Sequence, residues 1–200
     1  MAFGDFDADG YAVVAEDDYD GTRSNSGRVF IFRGGAGGLA GTPDVTLEGQ
    51  STGARLGTNL VVGDFDGDGR EDLAVTAPYA SVESSGDGAI YVWLGTSFGA
   101  EAPDLTWTSG LESALCGDAL HAADLDGDGL DELVVGCPTA AVSFYSAGRV
   151  YVVPGAPARR APPCYRSGVI GSLRFGSAGG RGRCAGERAP PRSCLRESPP

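Results

Sequence analysis

Three short runs in this chain alternate aspartate with a spacer residue and end in glycine. They read Asp5-Phe6-Asp7-Ala8-Asp9-Gly10, Asp64-Phe65-Asp66-Gly67-Asp68-Gly69 and Asp124-Leu125-Asp126-Gly127-Asp128-Gly129. Carboxylates on alternate residues of an extended turn fall on one side, and glycine permits the sharp bend that follows. This is a donor set for a hard cation: calcium takes about six to eight oxygens at roughly 2.3–2.6 Å. In the second run Asp64, Asp66 and Asp68 converge, with the carbonyl of Arg70 at position seven and the carboxylate of Asp72 at position nine. The third offers Asp124, Asp126, Asp128, the carbonyl of Leu130, and Glu132 at position nine, where the longer side chain changes the geometry or admits a water. The first offers Asp5, Asp7, Asp9 and the carbonyl of Tyr11, but its ninth position is Val13, which leaves that site weak or empty. Ca2+ at two sites, with a third weak or empty, is the expectation. Asp and Gly also build turns with no metal; carboxylates crowded into one turn, however, repel each other unless a cation neutralises them. An EF-hand would need glutamate at position twelve and flanking helices. Position twelve is Val75 in the second run and Val135 in the third, between strand-like flanks, so the ion would close a turn between strands.

The elements that must hold these turns recur with them. The first aspartates stand 59 and then 60 residues apart (5, 64, 124), a period that marks a repeat architecture. Each turn is followed by a short apolar run, Leu73-Ala74-Val75 in one copy and Leu133-Val134-Val135 in the next, closing on Ala77-Pro78 and Cys137-Pro138. A polar loop then leads into Gly27–Phe32, Gly88–Leu94 or Gly148–Val153, rich in β-branched and aromatic residues. Further short strands fit Val45-Thr46-Leu47 and Leu105-Thr106-Trp107, while Leu60-Val61-Val62 and His121-Ala122-Ala123 lead into the next turns. Such runs between Gly, Ser and Asp clusters read as strands, and no segment has helical apolar spacing. The fold class expected is all-β: a partial β-propeller of about three four-stranded antiparallel blades, with the cation loops in inter-strand turns. The units are 1–57, 58–117 and 118–178, followed by a tail, 179–200.

In these features the chain resembles the FG-GAP repeats of the integrin alpha-chain N-terminal propeller and related bacterial surface proteins. Phe175-Gly176 matches the FG element, with Leu56-Gly57 and Cys116-Gly117 in phase but lacking the phenylalanine. Thr76-Ala77-Pro78 and Gly136-Cys137-Pro138 match the GAP element, for which Ala15-Glu16 stands in the first copy, and residues 63–73 best match the cation loop. The resemblance runs from residue 3 to about 178. It implies a non-enzymatic calcium-binding module, extracellular or at the cell surface, serving adhesion or protein–protein contact with a protein or glycan ligand. The alternative is an accessory carbohydrate- or lipid-binding propeller domain of a larger exported enzyme.

Charge and composition narrow the partners. Residues 1–155 carry 25 acidic residues against 6 arginines (net −19), and residues 156–200 carry 2 against 9 (net +7), which together give −12. A body this acidic repels nucleic acid and anionic membranes, and no stretch approaches the roughly 20 apolar residues of a membrane span. His121, the single histidine, reads as a packed or surface strand residue, and no nucleophile elbow, zinc-protease helix or phosphate loop occurs. Cys116 and Cys137 replace Leu56 and Ala77 one period earlier. They fit equally a disulfide across the third hairpin or two small buried apolar residues. The phase holds through Gly176, yet Arg183 stands where a fourth ladder is due, so 179–200 is expected to be disordered and shifted out of frame. The opening at the first ladder, with no strand leading into it, and only three units point to a piece of a longer surface protein with further blades.

Overall fold

The computed structural model describes residues 2–4, 10–34, 38, 41–95, 102–142 and 145–155. Asp5, Asp7, Asp9, Phe175-Gly176 and the tail 179–200 lie outside the described residues. The β-branched and aromatic runs form three antiparallel meanders, with no α-helix among the described residues. The first is β1 (Ala2–Gly4), β2 (Tyr11–Glu16), β3 (Arg28–Arg33) and β4 (Val45–Glu48), paired in that order. The second is β5 (Leu60–Gly63), β6 (Asp72–Ala77), β7 (Ala89–Trp93) and β8 (Leu105–Trp107). The third pairs β9 (Ala119–Ala123), β10 (Glu132–Cys137) and β13 (Arg149–Val153), with a two-residue hairpin, β11 (Ala141–Val142) and β12 (Tyr145–Ser146), ahead of the last strand. The chain is all-β, and these sheets are the blades of a partial β-propeller.

One expectation is corrected. Ala2–Gly4 does lead into the first ladder: Ala2, Phe3 and Gly4 pair with Val13, Ala12 and Tyr11. Three residues suffice there because the hairpin partner β2 supplies the ladder hydrogen bonds, so the strand needs no apolar signature of its own.

The chain builds two separate cores, and the period-two alternation of the second sheet's strands serves both. Val13, Val29 and Ile31 of the first sheet meet Leu73, Val75, Ala89 and Trp93 of the second. The opposite face of the second sheet, with Ala74, Ile90 and Val92, meets Leu133, Val135 and Val153 of the third. All six residues of β6 are therefore buried, Asp72 and Thr76 included. The leading strands β1, β5 and β9 run next to one another, and the sheets are tied at both ends of those strands. At one end the Asn59 side-chain Nδ2 donates to the carbonyls of Gly117 and Asp118, at 2.9 and 3.0 Å. At the other end lie the aspartate turns.

Connections repeat as closely as strands. Gly27 and Gly88 both have positive φ, at 76° and 77°. A side chain on either would run into the backbone of Leu56 or of Cys116. Leu56 and Cys116, which replace the FG phenylalanine, thus occupy one structural position and are both buried.

Candidate metal centre

Residues 64–71 connect β5 to β6, and Gly63 pairs with Asp72, so the turn is an eight-residue hairpin loop. Its aspartates fold the backbone onto themselves. The amides of Gly67 and Gly69 donate to the two oxygens of Asp64, at 2.7 and 3.0 Å. Those of Asp68 and Arg70 donate to Oδ1 of Asp66 and Oδ1 of Asp68, at 3.0 and 2.9 Å. Aspartate closes such turns because its short side chain reaches an amide two or three residues on. Gly67 and Gly69, at φ 76° and 83°, take the left-handed backbone that this coil demands.

Asp72 stands at the loop's far end and is fully buried. Its Oδ2 accepts the Phe65 amide at 2.9 Å, and its Oδ1 accepts the Gly95 amide at 2.7 Å. Asp64, Asp66 and Asp72 present oxygens that all lie within 4.8 Å of one another. Burial pushes the Asp72 carboxyl up to about 7, against the pull of the amides of Gly95 and Phe65, with Asp66 and Asp64 adding repulsion. Asp66 is raised too, again chiefly by burial, with Asp68 and Asp64 nearby. A buried carboxylate group that repels itself is the electrostatic signature of a site suited to a divalent cation.

The loop of residues 124–131, between β9 and β10, reproduces this net. Gly127 and Gly129 donate to Asp124 at 2.7 and 3.1 Å, Asp128 to Asp126 at 3.1 Å, and Leu130 to Asp128 at 2.9 Å. Oε2 of Glu132 accepts the Leu125 amide at 2.8 Å, as Asp72 accepts that of Phe65. Asp124, Asp126 and Glu132 again lie within 4.8 Å. Glu132, though one methylene longer, reaches the same amide that an aspartate reaches in the second loop. Asp68 and Asp128 are not among the converged groups; each accepts an amide of its own turn. The backbones of Arg70 and Leu130 follow directly, at the close of each coil.

The first loop is built on a different count. Gly4 pairs with Tyr11, whereas Gly63 pairs with Asp72 and Ala123 with Glu132. Its hairpin therefore closes over residues 5–10, two fewer than the others. Tyr11, not Val13, takes the register position held by Asp72 and Glu132. Its side chain is buried and carries the Arg33 guanidinium 5.9 Å over the ring.

Two features outside the ladders matter. Asp87, fully buried, accepts amides from Val82, Glu83 and Ser84 at 3.0, 3.0 and 3.1 Å and the Thr108 hydroxyl at 2.6 Å. Burial alone would raise its carboxyl, but those four donors hold it below the usual range. It organises the loop between β6 and β7, and nothing in the repeat points to it, since Ser26 and Ala147 precede the equivalent glycines. Cys116 and Cys137 form a buried disulfide, the first of the two alternatives left open by the sequence.

A family model described as FG-GAP repeat matches residues 56–93 and 117–153. Phosphatidylinositol-glycan-specific phospholipase D of Rattus norvegicus is 36% identical over 156 residues, covering 70% of this chain and 18% of that protein. Integrin alpha-IIb of Homo sapiens is 32% identical over 159 residues, covering 76% of this chain and 14% of that protein. Integrin alpha-3 of Cricetulus griseus is 34% identical over 131 residues, covering 63% and 12%. The chain thus spans less than a fifth of the length of these relatives.

Proposed function

The chain carries FG-GAP repeats related to those of integrin alpha chains and of the phospholipase, and from that premise we propose a calcium-binding, non-catalytic propeller module of an exported or cell-surface protein. The observation that carries this reading is the pair of matched carboxylate clusters, Asp64/Asp66/Asp72 and Asp124/Asp126/Glu132, each held by the same amide net. The donor set fits calcium: all oxygen, anionic, partly buried, and lacking the cysteine or histidine that zinc favours. The carbonyls of Arg70 and Leu130 would add to each set. The ion supplies positive charge to a turn that otherwise buries repelling carboxylates. The chain's own residues do the rest: glycines set the coil, amides aim the carboxylates, and Asp72 or Glu132 joins the coil to the next strand.

Adhesion or contact with a protein or glycan partner is the role we assign to the module within its parent protein, in line with the integrin relatives. The phospholipase relatives favour a second reading, an accessory lipid- or carbohydrate-binding domain beside a catalytic domain elsewhere in the parent chain. The Cys116–Cys137 disulfide supports an oxidising, extracellular location under either reading.

Thermal melts in calcium and after chelation test the proposal. A ligand that binds only the folded state raises the midpoint as its concentration rises. We expect a rise that grows through millimolar calcium and shrinks in Asp66→Ala; an unchanged midpoint would remove the calcium reading.

A further inference from the structure

The two loops touch, and they touch at the residue between two candidate donors. Asp131 lies between Leu130 and Glu132 at the close of the third loop. Its backbone amide donates to the Asp64 carbonyl at 2.9 Å, and its Oδ2 accepts the Asp64 amide at 3.0 Å. Asp64 is the first residue of the second loop, and both its oxygens are used to coil that loop. The contact is close: a Cβ on Gly63 would stand 2.5 Å from Oδ2 of Asp131, and one on Gly67 would stand 2.6 Å from Cδ2 of Leu130. Glycine at 63 and 67 is what lets one loop seat on the other.

We propose that Asp131 is a positioning residue for the neighbouring site, coupling calcium binding at residues 124–132 to calcium affinity at residues 64–72. The inference rests on the calcium reading above. Holding Leu130 and Glu132 fixes both neighbours of Asp131, and therefore fixes its backbone and side chain together. Those two groups grip the amide and carbonyl of Asp64, so the first residue of the second loop is set before its ion arrives. Ordering a loop in advance removes part of the entropy that binding would otherwise cost. Linkage makes the effect reciprocal: occupancy of the second loop strengthens the third by the same factor.

The test is calorimetric titration of calcium chloride into the calcium-stripped full chain. Asp126→Ala disables the third loop, and we expect affinity at the second loop to fall about fivefold. Asp131→Ala should lower second-loop affinity similarly while keeping two sites. Adding Asp126→Ala to Asp131→Ala should then cost the second loop nothing further, a non-additivity that simple charge removal does not produce. Asp131→Asn keeps an acceptor for the Asp64 amide and should restore the coupling. Melts without calcium confirm that each variant is folded. Second-loop affinity indifferent to Asp126→Ala, or equally sensitive to it with and without Asp131, would overturn the coupling and leave the calcium reading standing. A chain that binds no calcium at either loop would overturn the calcium reading itself.

Discussion

The loops at 64–72 and 124–132 share a sequence pattern and an internal hydrogen-bond net, yet they sit in different surroundings. Phe65 and Asp66 are each 5% exposed, whereas Leu125 is 57% exposed and Asp126 lies open to solvent. The second loop is covered by its successor: Leu130 packs over Gly67, and Asp131 grips Asp64. Phe65 anchors it in the core between the second and third sheets. The motif therefore fixes the geometry of the turn, while packing against the next loop fixes its burial, and under the proposed calcium reading both enter the affinity.

The largest contrast should appear in pH. In calcium-free buffer Asp72 keeps its proton in the folded chain up to about 7 but loses it near 3.8 when unfolded. A raised folded value means that stability falls as pH rises through that window, by up to about 4 kcal/mol. Denaturant melts of wild type and Asp72→Ala across the window should diverge accordingly. Saturating calcium should flatten the slope, because the cation favours the ionised carboxylate.

Cutting the disulfide comes next in size. It staples the sheet that bears the exposed loop, at a sequence separation of 21, and its loss should cost about 3 kcal/mol. A melt of Cys116→Ser with Cys137→Ser should lower the midpoint in calcium and in chelator alike. A loss seen only in chelator would tie the staple to the third loop.

Asp87 separates buried acid from metal ligand. Its folded value is depressed, so its contribution is present above 3.8 and is lost as pH falls through the lower folded value, the reverse of Asp72. Asp87→Ala leaves three amides and a hydroxyl without their acceptor and should cost about 2–3 kcal/mol, independent of calcium. The check is a pair of melts with and without the ion. Smallest of all, Leu130→Ala should uncover Gly67 and weaken second-loop calcium binding by roughly threefold, read by titration.

Much of this was legible in the sequence, and for identifiable reasons. The strands were legible because alternation and a 60-residue period repeat the same signal three times, and Asp72 because it falls at a fixed offset from its ladder. The register of the first hairpin was not: Asp5–Gly10 looks intact, and the pairing of Gly4 with Tyr11, where Gly63 pairs with Asp72, is what sets it apart. Asp131 meets Asp64 across 67 residues, a contact no local pattern encodes. Asp87 occurs once in three repeats, so periodicity filters it out. The double burial of β6 follows from being the middle sheet of three, which is a property of neighbours and not of the strand.

Calorimetric counting of calcium bound by the stripped full chain is the decisive measurement. Two ions per chain are expected, the tighter one lost in Asp66→Ala and the weaker one lost in Asp126→Ala. No binding at millimolar calcium, or two sites that survive both substitutions, would contradict it.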